Sequence, residues 1–523
     1  MKFIKNYFVE ITNDAKKWVE NINSIIPKPH RKIISYLTEN QKDINVKIHP
    51  FNLNFPVLYL HNKYNRNGKL LAQYDPLFLR DCCESILITG SKGSGKSSGA
   101  FKTLSKSFLR SQYGGIFLCV KPDDVEDYTS WIKEAGREKD IIYLSKEKFD
   151  FLHYENTRGG SDAGKPLNLV HLITSISQTG KKGSEAAKAD NYFDDKVEQL
   201  CLHTINLLQL SNRAVNLETI YNLVRKYPVK DLKGQIIIDP ALNLLFEIAE
   251  NKADTEKTKK RLKIVKDFIL EEYPNTPDKT RDCINSTFTI LVQKILLDDV
   301  GDLLCSGTCT FDPQKIIEEG KLLIVDYQLK KYGVLGKIVN VIMKTLFQKA
   351  LERRTDKGEL MRPFCFFADE FQNFITDEDF EFEATARSSK AISIYATQTI
   401  NNLFSVLGKR DKALAFLENI NIKIAHKNSC KETNEYFCNK IDEMTVERSN
   451  ASFGKSAGQQ GGSSSQSTGY SEQKERMLKP YDISKLLKGG PQNNSIVSAY
   501  LYKNGDIFSN SLPYIQVYFN QNY

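Results

Sequence analysis

The sequence lacks any apolar run close to the roughly 20 residues that a helix needs to cross a bilayer. Its first residues, Met1 to Asn6, also lack the long apolar stretch of a secretory signal. We therefore expect a chain without a membrane span of its own, located in the cytoplasm. Its composition, 41% hydrophobic and 26% charged residues, is that of a folded globular protein and excludes collagen-like and wholly disordered classes.

Paired cysteines and a strong charge of one sign are missing as well. None of the ten cysteines forms a Cys-x-x-Cys motif, and Cys82 and Cys83 are adjacent, which is a poor arrangement for a disulfide framework. Cys305 and Cys309 have the spacing of two metal ligands, but no second Cys or His pair follows at zinc-site spacing, so reduced thiols are expected. The net charge of +9 is mild and only favours phosphate-rich partners.

Residues 1–84 are interpreted as an accessory N-terminal region. Apolar side chains from Ile4 to Ile25 recur at alternating spacings of four and three residues, which predicts an amphipathic helix. Its apolar stripe is covered by the protein's own core, by a partner helix or by a membrane surface; the balanced charge of the polar face argues against lipid. Asn67-Gly68 then separates two apolar stretches, which predicts a β-hairpin.

Six short apolar runs bounded by turn residues follow this region. Continuous apolar runs are typical of strands buried on both faces, so they predict a mostly parallel sheet flanked by helices, an α/β fold. The runs are 86–88, 116–120, 141–144, 322–325, 364–367 and 392–395.

Three further segments have different residue patterns. Helical periodicity over 176–304 predicts an all-α domain inserted into the α/β domain. Residues 450–475 are rich in Ser and Gly and have no apolar periodicity, which predicts a flexible loop. Residues 476–523 are expected to form a C-terminal segment whose hairpin, with a turn near Gly505, returns to the α/β domain.

The stretch from Gly90 to Ser97 matches the phosphate-binding loop pattern and stands between the first predicted strand and a helix that runs through Leu109. Its glycines let backbone N–H groups converge on phosphates, Lys96 reaches the β- and γ-phosphate oxygens, and the Ser97 hydroxyl coordinates Mg²⁺. The sequence therefore predicts a site for ATP and Mg²⁺. The predicted nucleotide ligands are Gly90, Ser91, Lys92, Gly93, Ser94, Gly95, Lys96, Ser97 and Ser98.

Nucleotide hydrolysis needs a second element, and Asp369 and Glu370 follow the apolar run 364–367 directly. Two carboxylates at a strand end are also common as helix caps. Beside a phosphate loop, however, they favour an ATPase in which Asp369 helps to hold Mg²⁺ and Glu370 orients the attacking water. We expect them to meet the loop at adjacent strand ends, around one magnesium nucleotide.

Two more residues are candidates for catalysis. Gln398 follows the run 392–395 and is predicted to sense the γ-phosphate or the catalytic water; the alternative is a strand-end amide that bonds its own loop. Arg387 is a candidate for a charge that reaches a neighbouring subunit's phosphate, and an ordinary surface arginine is the alternative.

These segments resemble the coupling-protein ATPases of type IV secretion and conjugation, TraG/TraD-like members of the FtsK/HerA superfamily of P-loop motors. The resemblance rests on the phosphate loop, the FFADEF strand with Gln372, the ARSSKAISIYATQT segment and the stretch 427–436. Residues 311–325, the helical insertion and the stretch 476–480 support it. The likeness covers roughly residues 85–490.

The resemblance implies a RecA-like P-loop ATPase core formed by 85–175 and 305–449, an all-α domain that faces cargo, and a homo-hexamer around a channel. It also implies DNA as the engaged polymer, relaxase or other secretion-system proteins as partners, and a position at the inner membrane face through those partners. Because no base-reading motif is present, we expect DNA contacts to go mainly to phosphates, without sequence specificity.

We therefore expect an ATP-hydrolysing motor that recruits and translocates DNA or a DNA–protein conjugate. The alternatives are a nucleotide-gated adaptor that recruits protein cargo and an export ATPase for proteins alone. Family members commonly carry amino-terminal transmembrane helices, whereas this sequence shows none. That departure leaves a soluble variant that docks on membrane partners, or a motor that serves another purpose.

Overall fold

The computed structural model describes residues 48–65, 69–179, 187–231, 233–354, 358–458 and 461–522. The amphipathic helix predicted between Ile4 and Ile25 lies outside the described residues. Every helix in the described ranges is too short or too polar to span a membrane.

A nine-stranded sheet forms the centre of the fold, and three small two-stranded sheets accompany it among the described residues. The described strands are β1 (Pro56–Tyr64), β2 (Leu70–Phe78), β3 (Ile86–Thr89), β4 (Gly114–Leu118), β5 (Ile141–Tyr143), β6 (Val229–Lys230), β7 (Ile236–Ile237), β8 (Leu322–Val325), β9 (Phe364–Ala368), β10 (Ala391–Thr397), β11 (Ile422–His426), β12 (Glu443–Gly458), β13 (Gly461–Arg476), β14 (Ile496–Lys503) and β15 (Tyr514–Asn520).

Helices cover both faces of the sheet and form the inserted region. The described α-helices are α1 (Leu79–Cys82), α2 (Lys102–Arg110), α3 (Pro122–Glu134), α4 (Phe151–Thr157), α5 (Pro166–Thr179), α6 (Ala187–Leu210), α7 (Leu217–Val224), α8 (Pro240–Lys252), α9 (Glu256–Lys266), α10 (Tyr273–Asn275), α11 (Asp278–Leu296), α12 (Asp299–Leu304), α13 (Pro313–Glu319), α14 (Leu329–Glu352), α15 (Glu378–Thr385), α16 (Ile400–Leu407), α17 (Arg410–Glu418), α18 (Lys431–Ile441) and α19 (Pro480–Ser484).

The strand order in the central sheet is β15-β14-β11-β3-β10-β9-β4-β8-β5. Strands β3, β4, β5, β8, β9, β10 and β11 run parallel, and β14 and β15 join antiparallel at one edge. All six predicted runs lie in this sheet, and the predicted C-terminal hairpin is the β14–β15 pair. The α/β prediction of a mostly parallel sheet is confirmed.

Burial on both faces of the sheet explains why the sequences of these strands are continuous apolar runs. In β9, Phe364 and Phe366 belong to the core on one face of the sheet, while Cys365 and Phe367 belong to the core on the other. Because successive side chains of a strand point to opposite faces, a strand between two helical layers must be apolar at every position.

Two helices of the inserted region begin at polar capping residues. Asn216 caps α7 by accepting a hydrogen bond from Thr219 N at 2.8 Å, and Asp239 caps α8 by accepting one from Ala241 N at 2.8 Å. The short hairpin β6–β7 interrupts the helices between these two caps.

Strand β11 was missed at the sequence level. It pairs with β3 on one side and β14 on the other, so it connects the C-terminal hairpin to the rest of the sheet. Lys423 interrupts its apolar pattern, yet the side chain is buried and its ammonium donates to the carbonyl of Ile420. A long aliphatic stem lets a lysine occupy a core strand when its charged end finds an acceptor.

The prediction of a flexible loop over 450–475 differs from the structure, where β12 and β13 form a long antiparallel hairpin. The loop was predicted because apolar periodicity is absent. A ribbon that pairs only with itself needs no apolar face, because its backbone hydrogen bonds do not depend on the side chains. At the amino side, β1 and β2 pair antiparallel, which confirms the predicted first hairpin.

Candidate active site

The phosphate loop follows β3, a central strand of the sheet. Gly93 and Gly95 have φ angles of +73° and +85°, a region that L side chains rarely adopt, so the loop depends on glycine at both positions. After Lys96 the chain enters a wide π-type turn, Ser97–Phe101, and continues as α2. The start of a helical segment favours an anion, because the first amides of such a segment have no acceptor within it.

Asp369 and Glu370 follow β9, two strands away from β3, because β10 lies between them. The expectation of adjacent strand ends is therefore wrong in detail. Glu370 has a left-handed backbone with φ 56° and ψ 45°, which is unusual for a residue with a side chain. Backbone strain of this kind clusters at active sites, where the surrounding structure holds the residue in place.

The phosphate loop and the acidic pair are nevertheless in direct contact. Lys96 Nζ lies 2.9 Å from Asp369 Oδ1 and 2.8 Å from Glu370 Oε1. The Ser97 hydroxyl donates to Asp369 Oδ2 over 2.5 Å. Lys96, Asp369 and Glu370 are all buried, so the intervening strand does not prevent the long side chain of Lys96 from closing the gap.

Lys96 and Glu370 stabilise each other's charged form. Burial alone would lower the pKa of Lys96, but the attraction of Asp369 and Glu370 is larger in sum, so that pKa lies above its ordinary value. Burial alone would raise the pKa of Glu370, yet the charge and hydrogen bond of Lys96, helped by two glutamine amides, hold it below its ordinary value. Lys96 and Glu370 are therefore both charged at neutral pH.

Two glutamines complete the surroundings of Glu370. Gln372 Nε2 donates to Glu370 Oε2 at 2.7 Å, and Gln398 Nε2 lies 3.3 Å from Glu370 Oε1. Thr397 Oγ1 donates to Gln372 Oε1 at 2.8 Å, which orients that amide. The structure thus brings Gln398 to the acidic pair, as its position at the end of β10 predicts.

A fourth strand end, that of β11, also contacts the site, and it was not predicted from the sequence. Ser91 N donates to Lys427 O at 3.0 Å, and Ser91 Oγ donates to Asn428 Oδ1 at 3.1 Å. Asn428 Nδ2 in turn donates to Gln398 O at 2.8 Å. Asn428 follows β11, so the rule that polar residues after buried strands meet at one edge would have found it had β11 been identified.

The other predicted nucleotide ligands fall into two groups. Lys92 and Gly93 are exposed at the tip of the loop. Ser94 Oγ is buried without a hydrogen-bond partner among the described residues, and Ser98 Oγ accepts a hydrogen bond from Gln521. A buried hydroxyl without a partner is costly unless a ligand or water satisfies it.

Arg387 lies elsewhere. It belongs to the short turn before β10, with 66% of its side chain exposed, and its guanidinium pairs with Glu84 Oε1 at 2.7 Å. Glu84 precedes β3, whereas the phosphate loop follows it. Arg387 therefore lies at the amino ends of the parallel strands, about 20 Å from the phosphate loop along the length of β10. The structure does not bring Arg387 to the site of its own chain.

The donor set suits a magnesium nucleotide. Ser97 Oγ and Asp369 Oδ2 are hard oxygen donors side by side, and Mg²⁺ typically takes one or two protein ligands of this kind beside phosphate and water oxygens. At Gly90 an added Cβ would lie 2.3 Å from Ser94 Oγ, so only glycine allows the loop to fold this closely. The Ser94 hydroxyl, which is buried and has no partner among the described residues, belongs to the same loop.

Comparisons with known proteins identify a similarity in sequence over part of the chain and a similarity in fold. A family model described as the TraM recognition site of TraD and TraG matches residues 363–488, the span that holds Asp369, Glu370 and Gln398. None of the curated protein sequences matches the chain.

Solved structures of the plasmid coupling protein TrwB share the fold. Its complex with the GTP analogue GDPNP matches with a TM-score of 0.57 at 13% identity, covering 87% of this chain and 88% of that chain. The complex with the ATP analogue ADPNP matches with a TM-score of 0.56 at 13% identity and the same coverage. The complex with ADP and Mg²⁺ gives 0.56 at 12% identity, again over 87% and 88%.

At such low identity the structural likeness shows the fold, a RecA-like P-loop core with a helical domain. Together with the match over residues 363–488, it confirms the resemblance drawn from the motifs: the chain is similar to the TraG/TraD-like coupling ATPases.

Proposed function

We propose that this protein is an Mg²⁺-dependent ATPase that recruits and moves DNA, or a DNA–protein conjugate, in conjugation or type IV secretion. The observation that supports it most is the contact of Lys96 with Asp369 and Glu370 at 2.9 and 2.8 Å, with Ser97 beside Asp369. A lysine, a hydroxyl and two carboxylates at the ends of parallel strands are the parts that phosphoryl transfer to water requires.

Each residue has a defined task in this proposal. The loop amides and Lys96 bind phosphate oxygens, while Ser97 and Asp369 hold Mg²⁺. Bound Mg²⁺ supplies positive charge to the β- and γ-phosphate oxygens. Glu370 accepts a hydrogen bond from the attacking water, and Gln398, within 3.4 Å of both Glu370 oxygens, responds to whether the γ-phosphate is present.

Lys96 must move for this to happen. Without nucleotide its ammonium contacts both carboxylates and offsets one of their two negative charges. Ser97 and Asp369 would hold a divalent cation that supplies positive charge there once Lys96 turns to the phosphates. The exchange keeps the buried carboxylates compensated throughout, which avoids the large cost of an unpaired buried charge.

Two observations support our proposals for assembly and partners. Arg387, exposed and far from its own site, is suited to complete the site of a neighbouring subunit in a homo-oligomer, which we propose to be a hexamer. The match of residues 363–488 to a TraM recognition site supports recruitment of a partner protein. We propose that this recruitment takes place at the inner membrane face. The same match also favours the second candidate, a nucleotide-gated adaptor that recruits protein cargo without pumping DNA.

Turnover of ATP by the purified protein, measured with and without DNA, separates the two candidates. The motor predicts stimulation by DNA that weakens as salt rises, because phosphate contacts release counterions. The adaptor predicts slow turnover that ignores DNA and responds to a partner protein. Absence of Mg²⁺-dependent turnover in every condition would overturn the ATPase itself.

A further inference from the structure

Gln521, in the turn after β15, connects two parts of the protein beside the phosphate loop. Its side-chain Oε1 accepts a hydrogen bond from Gly490 N at 2.8 Å, and its Nε2 donates to Ser98 Oγ at 2.7 Å. Its backbone is fixed as well, since Gln521 N donates to Ser495 O at 2.9 Å and Lys102 Nζ donates to Gln521 O at 3.2 Å.

The orientation of this amide follows from chemistry. A backbone N–H can only donate, so the atom that faces Gly490 must be the amide oxygen, and the NH₂ group must face Ser98. Glycine allows the close approach: an added Cβ at Gly489 would lie 2.2 Å from Gln521 Oε1, and both Gly489 and Gly490 have positive φ angles of +76° and +82°.

The C-terminal hairpin β14–β15 also packs against the phosphate loop. An added Cβ at Gly95 would lie 2.3 Å from Val497 Cγ1, and one at Gly99 would lie 2.5 Å from Val497 Cγ2. Strand β14 therefore packs directly against the loop and the first helical turn. Gln521 adds polar contacts beside these apolar ones.

The consequence concerns the Ser98 hydroxyl. Because Gln521 occupies a lone pair of Ser98 Oγ as donor, the hydroxyl hydrogen must turn to another acceptor, and none is present among the described residues. Ser98 lies in the first turn after the phosphate loop, where the helix amides favour an anion. The free hydrogen is thus available to a phosphate oxygen.

We infer that Gln521 is a positioning residue that directs the Ser98 hydroxyl hydrogen to a phosphate of the bound nucleotide. The inference rests on the proposed nucleotide site and extends it to a residue that no phosphate-loop motif contains. Gln521 acts through Ser98 and contributes to binding rather than to the chemical step.

The test measures the Kd of a non-hydrolysable Mg²⁺–ATP analogue, together with KM and kcat, for the full chain. Gln521→Glu keeps an acceptor for Gly490 but offers Ser98 an acceptor instead of a donor, so the hydroxyl hydrogen turns away from the phosphate. We expect Kd and KM to rise about tenfold with kcat nearly unchanged, and Gln521→Met to raise them about fivefold. Gln516→Glu, on β15, has the same charge change and serves as the matched control.

A double-mutant cycle with Ser98→Ala separates positioning from a general effect on the fold. If Gln521 acts through Ser98, adding Gln521→Met to Ser98→Ala changes Kd no further, whereas additive effects would overturn the inference. Unchanged Kd in Gln521→Glu, with normal binding by the wild type, would also overturn it while leaving the proposed function intact. Should Gln521→Glu not fold, Gln521→Met and the cycle decide. Failure of the wild type to bind the analogue would overturn both.

Discussion

The hydroxyl of Ser97 donates a hydrogen bond to Asp369 Oδ2, although the two residues are 272 positions apart in the chain. The helical insertion and four strands of the sheet, β4, β5, β8 and β9, lie between them in sequence. Parallel strands bring their carboxyl ends to one edge, so the sheet converts this long separation into direct contact. The same arrangement places Lys96 between two carboxylates, and the first prediction concerns that triad.

Replacing Lys96 by methionine should affect both turnover and stability. The variant leaves Asp369 and Glu370 buried beside each other without a counter-charge, so we expect the free energy of unfolding to fall by about 3 kcal/mol in the absence of Mg²⁺. Millimolar Mg²⁺ should restore part of that loss, and ATP turnover should disappear. Urea denaturation with and without Mg²⁺ checks this, with the exposed loop residue Lys92→Met as control. Unaltered stability would argue against the triad.

Glu370→Gln should separate binding from hydrolysis. The amide keeps the shape of the side chain but cannot accept a proton from water, so we expect kcat to fall by about 10²- to 10⁴-fold. The Kd for ATP should change little, because Lys96 and Ser97 remain. Equilibrium binding and steady-state turnover are the two measurements, and Glu381→Gln, on the exposed face of α15, is the matched control. Normal turnover in Glu370→Gln would contradict its assigned role.

Arg387→Ala should reveal whether a site is shared between subunits. Alone, the variant should lose turnover if Arg387 completes a neighbour's site. Mixed with Glu370→Gln subunits it should recover some, because certain interfaces then combine an intact Arg387 with an intact Glu370. Turnover is measured against mixing ratio, with exposed Arg410→Ala in place of Arg387→Ala as control. If no ratio restores activity, the shared site is not supported.

The buried His426 predicts a pH dependence of stability. Burial lowers the pKa of this imidazole from 6.5 to about 3, so the folded protein keeps it neutral while the unfolded chain takes up a proton below pH 6.5. Stability is therefore lost as pH falls from 6.5 toward 3, by about 1.4 kcal/mol at pH 5.5 relative to pH 7.5.

Comparison with His426→Met isolates this contribution. Urea denaturation followed by tryptophan fluorescence at the two pH values should show a loss on acidification that is smaller by about 1.4 kcal/mol in the variant. His203, whose pKa burial lowers to about 4, acts in the same direction, so His203→Met provides a parallel measurement in the helical insertion. Equal pH dependence in His426→Met and the wild type would refute the assignment.

The β12–β13 hairpin should be dispensable for the fold and for basal turnover. Its strands pair only with each other, outside the central sheet. Replacing residues 445–474 by a short Gly-Ser connection should leave the thermal midpoint within a few degrees and turnover in the absence of partners unchanged. Calorimetry and an ATPase assay measure the two quantities. A large loss of either would show that the hairpin supports the core.

Much of the site was predictable because each part carries its own local signal. A glycine loop that binds phosphate requires Gly93 and Gly95 for backbone reasons, and the acidic pair follows a strand that is recognisable by its apolar run. Asn428 was not assigned because β11 carries Lys423 and His426, and a polar residue in a core strand hides the strand from any pattern based on apolar runs. Gln521 has no local signal at all.

The amino-acid sequence by itself determined the α/β class, the phosphate loop, the acidic pair and the helical insertion, because these depend on backbone requirements and burial patterns that are local in the chain. Tertiary structure alone decided that β10 separates β3 from β9, that Arg387 lies at the far edge, and that Gln521 reaches Ser98. Strand order and the packing of distant segments arise from contacts between residues hundreds of positions apart, and no spacing within the sequence encodes which of those contacts form.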